Sequence, residues 1–382
     1  MKANLKCLTG PMLTESTSSI LTAAPASILV ANFTIPYYRP DRDVGYQREP
    51  SSGRIKSLAK KLYETDADLP TLVVANIRKL EAQEHIIKGE FKYNPDIHGK
   101  LFIADGQHRL EALKEAMKIA KDNEDEVNLK RLQEKLIPVM ITFTGNTELI
   151  EMKTFYSINK HGKNVPINDA AMIMHRRYKL GDTEIMEEID GAGESWRIVA
   201  GEVAKNLNKN CLVWRNRIKS PGQKLPTPNI TFAAMVNHLK PLVTSPDLEG
   251  KGIDLISKVA CAYWEGIAEN HQELFAPETA KLYAIQTSSA TEVLNKIWDH
   301  VRAKIQSSSK NNPKDLADPD SYKTIMGQLI DKCSGTTLNQ VEVSGSGYWQ
   351  KGKLGVAGTY TSNSAKSTFT AYLKGLLSDI EV

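Results

Sequence analysis

Two hydrophobic periods, strand-like and helix-like, alternate along the first half of this chain, and the points where they switch set out its elements. Residues 27–35, SILVANFTI, form an apolar stretch suited to a strand, which Pro36 and Pro40 break. After the cap-like pair Ser51 and Ser52, the residues Ile55, Leu58, Ala59 and Leu62 recur at helical spacing. A strand follows at 72–77, then a charged stretch rich in Glu, Lys and His, then a short apolar run at 101–104. Leu110, Leu113 and Met117 restore the helical period. Residues 122–126 read as an acidic loop, 136–143 as another strand, and Leu149, Met152, Phe155 and Tyr156 mark a further helix. Strands alternating with helices predict an α/β (α+β) fold in which helices pack on a mixed sheet.

From about Ala170 the strand signals thin out, and helical stretches are expected at 231–242, 255–267, 290–305 and 322–332. Four regions follow from this reading. Residues 1–25, rich in Ser, Thr and Ala, are expected to be a flexible arm; 26–170 form the α/β domain, 171–332 a helical domain, and 333–382 a Ser/Gly-rich extension closing in a helix.

At 382 residues the chain exceeds a typical single domain, which agrees with that division. No basic segment leads into a long apolar stretch, and no run approaches bilayer-spanning length, so the expectation is a cytoplasmic protein without membrane contact. Cys7, Cys211, Cys261 and Cys333 lack any ligand-type spacing and are expected to be ordinary reduced thiols. The net charge of +4 is modest but unevenly placed: between 203 and 246 there is no Asp or Glu, while Lys205, Lys209, Arg215, Arg217, Lys219, Lys224 and Lys240 all fall there. Such a segment suits a phosphate backbone, and Trp214 beside Arg215 offers a stacking face for a base. Lys209, Trp214, Arg215, Arg217 and Lys219 are therefore the DNA-binding candidates. A solvated surface that happens to lack acids fits the same pattern.

The densest chemistry sits at Asp105, Gly106, Gln107, His108 and Arg109, where the run at 101–104 turns into the helix of Leu110 and Leu113. Gly106 supplies a tight turn, and Asp105 can serve as N-cap. The helix start offers unpaired N–H groups to an anion, and Arg109 suits bidentate contact with phosphate. A polar turn whose side chains merely face water is the plainer alternative.

This pentapeptide, continued by Leu110, Glu111 and Ala112, resembles the signature of the DGQHR-domain family, whose best-known branch is the DndB-type proteins of DNA phosphorothioation systems. More distantly it is similar to the ParB/sulfiredoxin superfamily, which binds nucleotide phosphates at an equivalent strand-to-helix turn. Tyr46, Gln47 and Arg48, the strand LPTLVV at 69–74 and the segment FYSINK at 155–160 follow in matching order, so the resemblance spans about residues 30–180. It implies a ParB-like domain binding a nucleoside triphosphate, ATP first among candidates, with Mg²⁺. Arg48, Gly106, Gln107, His108, Arg109, Asn159 and Lys163 would contact the nucleotide, and hydrolysis would draw on Asp105 and His108.

Asp105 has two competing roles, helix cap or Mg²⁺ ligand, and His108 is the proton-transfer candidate. Asn159 can equally cap a helix C-terminus. No Walker A pattern is present, which argues against a P-loop NTPase. The resemblance further implies DNA and DNA-modification enzymes as partners, and a homo-oligomer is compatible with it. The modification would be phosphorothioation or a 7-deazaguanine type. The non-enzyme alternative is a transcriptional regulator that binds operator DNA without turnover.

Overall fold

The protein divides into two units, Met1–Ile173 and Met174–Val382, in a computed structural model describing residues 1–8, 12–13, 18–39, 42–65, 67–69, 71–145, 148–162, 166–226, 228–308 and 315–380. The first unit opens with β1 (Ala3–Lys6), β2 (Met12–Leu13), β3 (Ser18–Pro25), α1 (Ala26–Asn32), β4 (Phe33–Thr34) and α2 (Ser52–Glu64). It continues through β5 (Val73–Ile77), β6 (Ile86–Ile87), β7 (Glu90–Tyr93), α3 (Pro95–His98), β8 (Leu101–Asp105) and α4 (Gln107–Asp122). Next come α5 (Glu126–Glu134), β9 (Leu136–Phe143), α6 (Glu148–Gly162) and α7 (Ile167–Lys179), and the boundary between the units falls within α7.

Six strands form a mixed sheet in the order β2-β3-β9-β5-β8-β4. β5 runs parallel to β9 and antiparallel to β8, and all five of its residues are buried, as suits a strand covered on both faces. One face packs under α4, whose Leu110, Leu113, Ala116 and Ala120 recur at helical spacing and meet Val73, Ala75, Ile103 and Ile141 in one apolar cluster. A smaller cluster joins Tyr46, Met152 and Ile173, with Phe155 and Tyr156 against it.

Two expectations change here. The expected arm at 1–25 is largely sheet: β3 pairs along its whole length with β9, from Ser18 opposite Phe143 to Pro25 opposite Leu136, and β1 pairs with β7. Small residues conceal the strand, because Ser18, Ile20, Thr22 and Ala24 alternate inward without a run of large apolar side chains. The apolar stretch 27–35 is a helix followed by a two-residue strand, since burial falls on Ala26, Ile28, Leu29 and Asn32 at helical intervals. The Asn32 amide closes the helix by donating to the Ile28 carbonyl at 2.8 Å.

The second unit is mainly helical. It comprises α8 (Thr183–Gly191), α9 (Trp196–Asn210), β10 (Ile218–Lys219), β11 (Ile230–Thr231), α10 (Phe232–His238), α11 (Lys240–Val243) and α12 (Ile253–Asn270). α13 (Ser288–Lys296), α14 (Trp298–Ser308), α15 (Asp320–Lys332), β12 (Ser334–Thr336), β13 (Glu342–Ser344) and α16 (Asn363–Ser378) complete it. α12 packs against α9 and α15, and its Tyr263 and Trp264 join Trp214, Trp298 and Tyr322 in a chain of edge-to-face rings. The Ser/Gly-rich end holds the antiparallel pair β12–β13, and α16 packs on α13 and α15, so this end belongs to the unit's own core. No helix among the described residues is long and apolar enough to cross a membrane.

Candidate functional site

Gly106 occupies the N-cap position of α4 with φ +103° and ψ 8°, a backbone state that a side chain resists. A Cβ at this position would lie 2.9 Å from Val73 Cγ2 and 3.1 Å from Arg109 Nη2, so the turn also lacks room for one. No side chain caps α4. The N–H groups of Arg109 and Leu110 turn back to the Gly106 carbonyl, whereas those of Gln107 and His108 precede the first helical bonds.

Asp105 does not cap the helix. It ends β8, and its Oδ2 accepts from Arg109 Nη2 at 2.8 Å. Arg109 Nη1 donates in addition to the carbonyl and hydroxyl of Thr71. Arg109 thus straps the strand end, the turn and the segment before β5 together.

The remaining cations gather around His108. Burial pushes its imidazole pKa down, and the positive charges of Arg54, Arg48 and Arg109 add to the effect against the opposing pull of Asp105. Arg54 is exposed in the first turn of α2, whose own N-cap, Ser51, makes no side-chain cap bond. Arg48 is about half exposed and stands 3.8 Å from Asp169, a loose pair. The Gln107 side-chain oxygen is buried with no partner among the described residues. Gln47 fixes the neighbourhood: its amide donates to the Ile103 carbonyl at 2.6 Å and so covers the edge of β8 beyond the end of β4. The uncapped start of α4 and the positive charges of Arg48, Arg54 and Arg109 that act on His108 together suit a multiply charged anion.

Sequence reasoning passes over Arg54, although SSGR at a helix start carries the signal. It also gives no sign of the buried carboxylate of Glu151, which Arg78 holds through paired contacts of 2.8 and 2.9 Å while the Asn76 amide donates at 2.5 Å. Tyr46 reaches the same carboxylate at 3.5 Å, anchoring the segment that carries Gln47 and Arg48. A cleft of about 790 Å³ opens at the other end of β8, beside Lys100 and Phe102. Two of its cations are committed within the unit, Arg78 to Glu148 and Glu151 and Lys79 to the Ile97 carbonyl, and Lys100 also lines it.

Other expected residues fare differently. Asn159 lies inside α6 and donates to the Phe155 carbonyl at 2.8 Å, so it is not a C-cap, and Lys163 lies outside the described residues. In the second unit Trp214 is wholly buried, its ring 5.0 Å from that of Trp264, and cannot serve as a stacking platform. The helix-flanked core takes it because its apolar area outweighs its place in a basic run. Arg217 is half-buried and donates to the carbonyls of Pro228 at 3.2 Å and Phe275 at 3.4 Å, which makes it a loop fastener. Lys219 is half-buried in β10, while Lys209 and Arg215 are exposed. An acid at the border of the interval also offsets part of its charge: Lys205 stands 3.6 Å from Glu202, one turn earlier in α9.

Residues 13–171 match the DndB family, described as DNA-sulfur modification-associated. No curated protein and no solved structure matches the chain. The matched span covers the sheet from the end of β2 onward, the turn at Gly106, the irregular segment that carries Arg48 and the helices α2 and α4 that carry Arg54 and His108. Residues 13–171 are accordingly similar to the DndB family, whose members are described as DNA-sulfur modification-associated.

Proposed function

We propose that the first unit binds a nucleoside triphosphate, ATP first among candidates, with its phosphates against the starts of α4 and α2, and that this nucleotide controls the protein's part in DNA sulfur modification. The observation that carries the reading is the convergence of Arg48, Arg54 and the uncapped α4 start on His108. The amides of Gln107 and His108 and the guanidinium groups of Arg48 and Arg54 would hold the phosphates, while Arg109 keeps the turn in shape. The unpartnered carbonyl oxygen of the Gln107 side chain would accept from a ribose hydroxyl or base N–H of the ligand, since the phosphates have no proton to donate.

Protein donors for Mg²⁺ are few here. One oxygen of Asp105 is taken by Arg109, so the cation would be held chiefly by phosphate oxygens, with the other Asp105 oxygen as the carboxylate contribution. Bound there, Mg²⁺ would neutralise phosphate charge. His108, kept neutral in the free protein, would be the group that accepts a proton from water during hydrolysis.

Titration of the full chain with labelled ATP, GTP and CTP tests the reading. Saturable binding is expected, weakened about 10-fold or more by Arg54→Ala and by Arg48→Ala, since each removes a charge-assisted interaction worth about 1.5–3 kcal/mol. Absence of saturable binding to the wild type would overturn the proposal. Binding without phosphate release, with or without DNA, would favour a regulator that works without turnover.

A further inference from the structure

Cys211 and Cys261 are separated by 50 positions, and the fold brings them together. Cys211 is the C-cap of α9, Cys261 sits in the third turn of α12, and Glu265 lies one turn further along the same helix face. The two sulfur atoms and a Glu265 carboxylate oxygen all lie within 4.8 Å of one another. The Leu212 N–H donates to Glu265 Oε1 at 3.1 Å, which aims the carboxylate and leaves its second oxygen for another partner. A cavity of about 230 Å³ adjoins both cysteines and is also lined by Asn206, Asn210, Asp254 and Lys258.

We propose that Cys211 Sγ, Cys261 Sγ and the Glu265 carboxylate bind a thiophilic divalent cation of the zinc class, whose fourth position opens onto this cavity and is filled by water. Two thiolates and a carboxylate form a donor set that selects zinc over magnesium or calcium. In a tetrahedral zinc site such donors stand roughly 3.5–4 Å apart, so modest side-chain rotation closes the present arrangement. Binding replaces two S–H bonds by two S–metal bonds and releases two protons. The bound site then carries one net negative charge, which the Lys258 ammonium at the cavity offsets. A simple disulfide would leave Glu265 and its orienting N–H without a role.

Cobalt(II) substitution of the full chain, reduced and freed of metal, tests this. A single equivalent should give thiolate-to-cobalt charge-transfer and tetrahedral ligand-field bands, bleached by Zn²⁺, with a change in tryptophan fluorescence because Trp264 adjoins Glu265. Cys261→Ser should abolish the charge-transfer intensity shared by two thiolates. Glu265→Gln keeps both thiols and the Leu212 hydrogen bond, and should weaken affinity about 10-fold or more while preserving the thiolate bands. Cys7→Ser should leave the spectrum unchanged. A reduced wild type whose thiols are free by titration yet gives no band overturns the proposal. So does a band of unchanged affinity and intensity in Cys261→Ser that retains the wild-type melting temperature.

Discussion

Arg109 and Arg54 are both cations near one helix start, yet their partners assign them different work. Arg109 is tied to Asp105 and to two oxygens of Thr71, so Arg109→Ala unfastens the turn and should destabilise the first unit by about 1–3 kcal/mol, read by chemical denaturation. Arg54→Ala should leave that midpoint within about 0.5 kcal/mol, because the side chain is exposed, and act on ligand affinity instead. A pH effect follows from His108. Its pKa is lowered in the free protein by burial and by Arg54, Arg48 and Arg109, and a bound polyanion would offset the cationic part of that shift. The bound state then holds more protons than the free state, so triphosphate affinity should rise as pH falls from neutrality toward the histidine range. Calorimetry in buffers of differing ionisation enthalpy should detect proton uptake in the wild type and not in His108→Gln.

The elements show which parts of the fold are legible. The helix of Leu110 and Leu113 and the alternating strand at β9 announce themselves because large apolar side chains mark their buried positions. β3 is hidden because half of its inward positions are Ser18 and Thr22, whose burial depends on a partner strand far along the chain. α1 passes for a strand because six consecutive small or apolar residues, 26–31, satisfy either period, and only the tertiary setting decides. The pentapeptide is legible as a turn, while Arg109's strap and Trp214's burial depend on neighbours that no local pattern records. β3 yields a prediction at this scale. It lies between β2 and β9, so a chain starting at residue 26 loses an interior strand, not a tail. Such a truncation should show no cooperative thermal transition for the first unit by circular dichroism. Removal of residues 1–2 alone should preserve it.

Across the whole molecule, if the basic segment binds DNA, its exposed candidates are Lys209 and Arg215, since Trp214 is in the core, Arg217 fastens a loop and Lys219 is half-buried. Replacing Lys209 and Arg215 with alanine should flatten the dependence of log K on log salt by about 0.9 for each phosphate no longer neutralised, up to roughly 1.8 for both. Arg217→Ala should instead lower stability, and Trp214→Ala should cost about 3–5 kcal/mol as a core deletion, with no selective loss on single strands. Duplex binding measured by anisotropy across a salt series separates these outcomes, and an unchanged slope in the double variant would return Lys209 and Arg215 to plain surface. If nucleotide state governs DNA binding, linkage makes the effect reciprocal: DNA must change triphosphate affinity by the factor that triphosphate changes DNA affinity. Both constants can be measured with a non-hydrolysable triphosphate, and equal factors are expected in the wild type. If Arg54 holds the ligand without transmitting, Arg54→Ala should weaken triphosphate affinity and leave the free energy of coupling unchanged. Two constants each indifferent to the other ligand would leave a nucleotide-binding unit and a DNA-binding unit on one chain without a switch between them.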